Sequence, residues 1–465
     1  MKLGINGSVR EVTEDPDQTA LSFLRREGMI GTKEGCASGD CGACTILVGR
    51  EISGNISYQT RNACITPLNQ LVHSHVVTVE GLADSGGLHP AQEAMLEKHA
   101  SQCGFCTPGF VVSIAALVEA GEESKREAVI EGISGNLCRC TGYAPIVSAG
   151  LCALKKKHRS SLKEKNLFAR LKSDDAPRLE YARPLSETEL QAGMRGSPDA
   201  RLIAGGSDLM LEVTQGFRSI PCFIDLSMVR ELRAINETDN QIQIGSSVTY
   251  SELEHYFEAR SKPFLSILKR LGSRQIRNVG TIGGNLGNGS PIADVPPILL
   301  AWDATLELVD AHGNRRSVHV CEFYKGYKET QLQDREYIAK IRIPIKSMND
   351  FHRFYKVSKR LEDDISSVMG AFRFESVGDE ISLARVAFGG MAATPVRAME
   401  IEKNLIGQRI TNDLIRKVES QILEELEPIS DVRASSRYRL EIAQAMLRRS
   451  LQEFSGQERL VITEL

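Results

Sequence analysis

No apolar run in the 465 residues approaches the roughly 18 that a membrane span requires, so the chain is not expected to enter a membrane. The first residues, Met1 to Arg10, lack the roughly 7–15-residue apolar stretch of a secretory leader, and none follows Arg25-Arg26, so a cytoplasmic location is expected. Charge of neither sign dominates: 57 Lys+Arg against 60 Asp+Glu give a formal charge of -3, which offers no general basis for binding nucleic acid. A charged partner would have to find a local patch. Aromatic residues are scarce, 6% with one tryptophan, beside 42% hydrophobic and 25% charged residues. That composition excludes a disordered or collagen-like chain and points to a globular one of two to four domains. There is no internal repeat, heptad array or low-complexity tract. Cysteine, finally, almost vanishes after residue 140, where only Cys152, Cys222 and Cys321 remain.

The other eight form two groups: Cys36, Cys41, Cys44 and Cys64, then Cys103, Cys106, Cys138 and Cys140. A reducing cytosol does not maintain disulfides, so clustered cysteines there point to metal ligands. The three isolated ones are expected to be small buried hydrophobes.

Four units are expected, giving an α+β multidomain chain. Residues 1–82 alternate short strands (Met1-Ile5, Ser8-Val12, Cys44-Val48, Val76-Val79) with a helix over Thr19-Glu27. Residues 83–158 change to helical periodicity, with helices over His89-His99, Pro108-Ala120, Lys125-Ile133 and Pro145-Lys157, which makes a helical bundle. Residues 159–177 are charged and weakly patterned, and are expected to be a linker. Residues 178–348 mix strands, helices and dense glycine in an α+β domain. Residues 349–465 form a separate domain, with strands over His352-Lys356, Met369-Glu375 and Leu383-Gly389, then amphipathic helices over Thr411-Glu427 and Ser436-Phe454.

The first cysteine group has the plant-type C-x4-C-x2-C…C spacing of a [2Fe-2S] cluster, Cys36-x4-Cys41-x2-Cys44 followed by Cys64. A tight loop must turn backbone N–H groups toward the anionic cluster, and Gly35, Gly39 and Gly42 permit the positive φ this demands. Structural zinc is the rival, although it favours paired C-x2-4-C sets. In the second group each pair, Cys103/Cys106 and Cys138/Cys140, ends where a helix begins, with Thr107 and Thr141 as expected caps. Two helix N-termini aimed at one anion would stabilise its charge. C-x2-C alone also occurs in zinc and redox motifs.

Two glycine loops, Leu202-Ile203-Ala204-Gly205-Gly206-Ser207-Asp208-Leu209 and Asn278 to Asn285, could wrap a pyrophosphate with backbone donors. Neither fits G-x-G-x-x-G, and glycine loops are often plain turns.

Taken together, C-A-S-G-D-C-G-A-C, Q-C-G-F-C-T-P-G and G-N-L-C-R-C-T-G-Y strongly resemble the iron-sulfur part of the molybdenum hydroxylases of the xanthine dehydrogenase type. The similarity continues through both glycine loops, Ser273 to Arg277, Phe354 to Arg360, Glu362 to Ile365 and Phe388 to Met391, covering essentially the whole chain. The resemblance implies a plant-type ferredoxin β-grasp, a helical-bundle [2Fe-2S] domain, a non-Rossmann FAD-binding domain and a C-terminal flavoprotein domain. It implies that all eight cysteines ligate iron and that Gln102 touches a pterin. It implies that Leu202 to Leu209 and Thr281, Ile282, Gly283, Gly284 and Asn285 hold the FAD diphosphate and ribityl chain, and Asp294 its sugar hydroxyls. Ile338 and Lys356 would flank the cofactor, and Asp363 would lie where nicotinamide docks. Leu271 stands where relatives often carry a Phe against the flavin ring.

No residue for substrate oxidation is expected here, because the family's molybdenum-binding region is absent from this sequence. The resemblance thus implies a small subunit, paired with a molybdopterin-binding large subunit in an α2β2 heterotetramer, passing electrons from purine oxidation through both clusters to FAD and NAD. Related hydroxylases of aldehydes or N-heterocycles, and a self-sufficient NADH:acceptor reductase, are the alternatives.

Overall fold

A computed structural model describes residues 2–52, 54–158, 160, 162, 165–171 and 180–456. The N-terminal unit is a five-stranded mixed sheet in the order Ser8–Glu11, Lys2–Ile5, His75–Val77, Thr45–Ile52, Asn55–Asn62. Lys2–Ile5 runs parallel to His75–Val77 and the other neighbours are antiparallel, which is the β-grasp arrangement. The helix Ala20–Arg26 lies on this sheet because Ala20, Leu21, Phe23 and Leu24 fall on one stripe, and Thr19 caps it by accepting from the Ser22 N–H at 3.2 Å. The strand Asn55–Asn62 was not expected: six of its eight residues are polar, and a buried side chain appears only from Thr60 onward.

Four helices follow, Pro90–Glu97, Thr107–Ala120, Arg126–Ile133 and Ala144–Ala153, around Phe110, Ile114, Val129 and Ile146. Over the expected linker, Lys165–Leu171 forms a further helix. Its Leu167, Phe168 and Leu171 are spaced for one face and pack on Val9, Ile56 and Tyr58 of the N-terminal sheet, so this stretch is a strap. Residues 159, 161, 163, 164 and 172–177 of that linker lie outside the described residues.

The next region holds two larger sheets beside the small hairpin Tyr324–Gly326 and Glu329–Thr330. One is parallel, in the order Tyr181–Ala182, Phe223–Asp225, Arg201–Ile203; the other is antiparallel, in the order Arg315–His319, Thr305–Asp310, Glu336–Pro344, Gln241–Gly245, Ile235–Glu237. The C-terminal sheet, Phe351–Val357, Val368–Val377, Glu380–Gly389 and Val396–Arg397, is antiparallel throughout. Its period-2 alternation sends Phe372, Phe374, Val386 and Phe388 toward the helices Asn412–Glu425 and Ser436–Phe454, and Met369, Ala371 and Ala387 into the core around Trp302. The expected separate domain therefore shares a core with the region before it. Among the described residues no helix is long and apolar enough to cross a membrane.

Candidate functional site

The loop Cys36–Cys44 gathers donors around sulfur. The Cys36 N–H donates to Cys41 Sγ at 3.4 Å, and the N–H groups of Ser38 and Cys41 donate to Cys36 Sγ at 3.4 and 3.3 Å. Gly39 and Gly42 have positive φ as expected (85° and 65°), but Gly35 does not; Ala37 takes the third left-handed position at 53°. Gly35 is instead a matter of space, since a Cβ there would sit 2.8 Å from Cys41 Sγ. Contacts among the thiols lower Cys36, through Cys41 and Cys64, and Cys44, through Cys64, while raising their partners. The four thiols thus act on one another's ionisation, as the members of one ligand set would.

The second quartet lies at the surface, with Cys103 and Cys140 exposed and Cys106 and Cys138 half-buried. Cys103 is lowered by the Phe105 backbone N–H and then by Cys140, whereas burial and Cys138 push Cys106 up to about 12. Thr107 does not cap the following helix: Cys106 occupies the cap position, and the Thr107 hydroxyl meets Ser101 Oγ at 2.7 Å. Thr141 does not cap its helix either: Tyr143 occupies the cap position, and Thr141 Oγ1 instead accepts from the Tyr143 N–H and lies 3.2 Å from Cys138 Sγ. Gln102 is exposed beside Cys103, as are Phe105 and Tyr143.

The two glycine loops touch. A Cβ on Gly205 would overlap the Val279 carbonyl, and one on Gly283 would overlap Ser246. Around this contact the buried Asn285 Oδ1, Ser246 Oγ and Tyr250 hydroxyl have no hydrogen-bond partner. Buried polar atoms of this kind ordinarily bond to something. A cradle of backbone N–H groups with unsatisfied polar atoms fits a flavin nucleotide. Sequence reasoning missed Ser246 and Tyr250, which only the fold carries to Gly283 and Gly280.

Lys356 Nζ pairs with Asp294 Oδ2 at 2.7 Å and donates to the Arg270 carbonyl at 2.8 Å, and Ser366 Oγ donates to Asp294 Oδ1 at 2.5 Å. Lys356 is therefore not the exposed charge its neighbours Lys359 and Arg360 suggest. Leu271 is half-buried one residue from that carbonyl, and Ile338 is buried. Asp363, at φ 44°, is pushed up to about 7 by burial and then by Asp40 of the first cysteine loop.

The three parts are layered. The Leu137 N–H, next to Cys138, donates to the Cys41 carbonyl at 3.0 Å, and Asn136 Nδ2 donates to the Gly42 carbonyl at 2.9 Å. On the other side, Gln215 Nε2 donates to the carbonyls of Cys36 and Ala37 at 3.1 and 3.2 Å, and a Cβ on Gly206 would stand 3.6 Å from the Ile65 carbonyl. Gln275 bridges all three regions, its amide reaching Thr45 Oγ1 at 3.1 Å, Asn136 Oδ1 at 3.3 Å and Ser113 Oγ at 3.5 Å.

Four family models match in chain order: a 2Fe-2S iron-sulfur cluster binding domain at residues 3–69, a [2Fe-2S] binding domain at 78–151, the FAD binding domain in molybdopterin dehydrogenase at 177–346 and the CO dehydrogenase flavoprotein C-terminal domain at 353–454. The chain belongs to the molybdenum hydroxylases, as their [2Fe-2S]- and FAD-binding, electron-transferring part. Xanthine dehydrogenase of Emericella nidulans is 33% identical, covering 86% of this chain and 34% of its own length. Xanthine dehydrogenase 2 of Arabidopsis thaliana is 31% identical over 90% of this chain and 37% of its own. The chain thus spans little more than a third of these molybdenum hydroxylases. Among solved structures, carbon monoxide dehydrogenase from Hydrogenophaga pseudoflava matches at TM-score 0.55 and 29% identity, covering 59% of this chain and 96% of that one. Quinoline 2-oxidoreductase from Pseudomonas putida 86 matches at TM-score 0.52 and 28% identity, covering 60% and 96%.

Proposed function

We propose that this chain is the electron-exit part of a xanthine dehydrogenase, taking electrons from purine oxidation at a molybdopterin-binding partner and delivering them to NAD. The layering carries the reading. The Cys36–Cys44 loop is bonded on one side to Asn136 and Leu137, beside Cys138, and on the other to Gln215, six residues beyond the first glycine loop, while Cys103 and Cys140 remain exposed for a partner. When bound, two [2Fe-2S] clusters supply one-electron carriers and FAD supplies the exchange between single electrons and hydride.

In this reading residues 1–82 and 83–158 hold the clusters through Cys36, Cys41, Cys44, Cys64 and Cys103, Cys106, Cys138, Cys140, and residues 178–348 and 349–465 hold FAD. Leu202 to Leu209 and Thr281 to Asn285 bind the diphosphate and ribityl chain. Asp294, fixed by Lys356 and Ser366, keeps lone pairs for sugar hydroxyls. Ile338 and Leu271 supply apolar contact with the cofactor, Asp363 borders the nicotinamide, and Gln102 meets the partner's pterin. The partner is the large subunit of an α2β2 heterotetramer. None of the eleven cysteines is in a disulfide, which suits the cytoplasm.

Cys103→Ser in the purified complex tests the order. Urate formation with NAD is expected to fall to background while NADH-to-dye transfer persists; equal loss of both would argue against this arrangement. Metal analysis of the co-purified partner provides the second test. A partner without molybdenum would favour a stand-alone NADH:acceptor reductase, and turnover of an aldehyde or another N-heterocycle in preference to xanthine would reassign the substrate.

A further inference from the structure

Arg50, Arg61 and Arg183, from two regions, converge on the Asp225 carboxylate at the carboxyl ends of the three-stranded parallel sheet, and Arg233 lies beside them. Arg183 follows the strand Tyr181–Ala182, Asp225 closes Phe223–Asp225, and Ala204 follows Arg201–Ile203 and leads into Gly205. Arg233 ends the short turn Glu231–Arg233. Arg50 and Arg61 enter from Thr45–Ile52 and Asn55–Asn62 of the ferredoxin-like sheet. The charges of Arg183, Arg233 and Asp225 act on both of them.

Hydrogen bonds tie this group to the first glycine loop. The Arg50 guanidinium donates to the Gln70 carbonyl at 2.8 Å, and the Gln70 amide donates to the Ala204 carbonyl at 2.6 Å. Arg183 donates to the Val72 carbonyl at 3.4 Å and lies 3.9 Å from the Asp225 carboxylate. Arg233 pairs with Glu252 at 2.5 Å. Arg61 is 9% exposed, and its guanidinium makes neither a hydrogen bond nor an ion pair among the described residues. Its Nε and that of Arg183 are buried donors without an acceptor.

Among the described residues, Asp225 and Glu252 are the carboxylates paired with these four guanidinium charges, which leaves two positive charges in surplus there. Burial and the neighbouring arginines press Arg50 down to about 9; burial lowers Arg61 to about 10 despite Asp225. A buried unpaired cation is unfavourable, and an apolar side chain in its place is usually neutral or better for stability. Arginine's planar fork matches the oxygens of a phosphate, and the carboxyl ends of parallel strands are where open sheets hold ligands.

We propose that Arg50, Arg61, Arg183 and Arg233 form a binding cleft for one doubly charged phosphate-class anion at the junction of the iron-sulfur and flavin-binding regions. The anion is either the pyrophosphate of FAD, an arm that rests on the flavin reading above, or a free phosphate. In both cases residues of the first iron-sulfur domain complete a site whose floor belongs to the flavin region, so anion binding and docking of the two reinforce one another.

The test uses the full chain with its clusters, in FAD-loaded and FAD-free forms, titrated calorimetrically with inorganic phosphate beside Arg61→Gln and Arg50→Gln. Saturable 1:1 uptake is expected, weakened about tenfold or more in Arg61→Gln. Uptake that persists with FAD bound identifies a free phosphate. Uptake confined to the FAD-free chain, with FAD affinity also reduced about tenfold in Arg61→Gln, identifies the pyrophosphate. Without any anion, Arg61→Gln is expected to melt no lower than the parent, because an unpaired charge has been removed. A lower midpoint in that condition would give Arg61 a structural role and overturn the cleft. Absence of phosphate uptake in both forms, with FAD affinity unchanged in both variants, would also overturn it and leave the flavin reading intact.

Discussion

A methyl group on Gly205 would overlap the Val279 carbonyl, so Gly205→Ala must force the two glycine loops apart. Overpacking backbone against backbone costs about 1–3 kcal/mol, and the displaced loop is the one expected to hold the FAD diphosphate. Gly205→Ala is therefore expected to purify with both iron-sulfur chromophores but with much less flavin; unchanged flavin absorbance would show that the loops do not clasp the cofactor. Asp363 supports a prediction of a different kind. Burial and Asp40 raise it to about 7, against about 3.9 in an unfolded chain. Between those values the folded chain binds more protons than the unfolded one, so the stability this group contributes is whole below about pH 4 and lost as pH rises through about 7. Asp363→Asn removes the charge and keeps a side chain that tolerates the left-handed φ of 44°. It should gain on the order of 2–4 kcal/mol at pH 8 and almost nothing at pH 4, as read by denaturant unfolding. A gain independent of pH would remove the carboxylate from the explanation.

At the scale of the element, Gly109 sits in the first turns of the helix Thr107–Ala120. By helix propensity alone, Gly109→Ala should stabilise by about 1 kcal/mol. Packing reverses the sign, because the new Cβ would overlap the Gly42 carbonyl and approach Asn136 Nδ2 to 2.9 Å. A net loss of about 1–3 kcal/mol and reduced iron content are expected from thermal melting and iron analysis; net stabilisation would show that the helix can retreat from the Cys36–Cys44 loop. This contact marks where sequence reading stops. The strands Lys2–Ile5, Thr305–Asp310 and Val368–Val377 and both long C-terminal helices were legible because their periodicities are regular and their cores local. The cysteine spacing was legible because cluster chemistry fixes it. Asn55–Asn62 was not, since its buried end meets another region: the Thr60 carbonyl and hydroxyl accept from Asn278, which is 218 residues away. Ser246 and Tyr250 were hidden for the same reason, and the role of Gly35 was misjudged because spacing does not distinguish a required φ from a required void.

For the molecule as a whole, one ion network decides whether the three regions hold together as the layering requires. Glu131, on the helix Arg126–Ile133 of the second iron-sulfur region, pairs with Arg274 and Arg277 of the flavin region. Arg277 is fully buried, and Glu254 pairs with both arginines as well, so two carboxylates serve two guanidiniums. Glu131→Gln withdraws one negative charge and leaves Glu254 to compensate both cations, one of them without access to water. Truncating one partner of a buried pair can cost 3–5 kcal/mol; here Glu131 is partly exposed and the amide oxygen still accepts, so about 1–2 kcal/mol is expected. That loss falls on the junction, since the cores of the individual regions do not contain Glu131. Melting followed separately through iron-sulfur and flavin absorbance should therefore change from one shared transition to two, with the iron-sulfur signal lost at the lower temperature. A single transition shifted by the same amount for both chromophores would mean that Gln275, reaching Thr45, Ser113 and Asn136 at once, couples the regions without help from the charges.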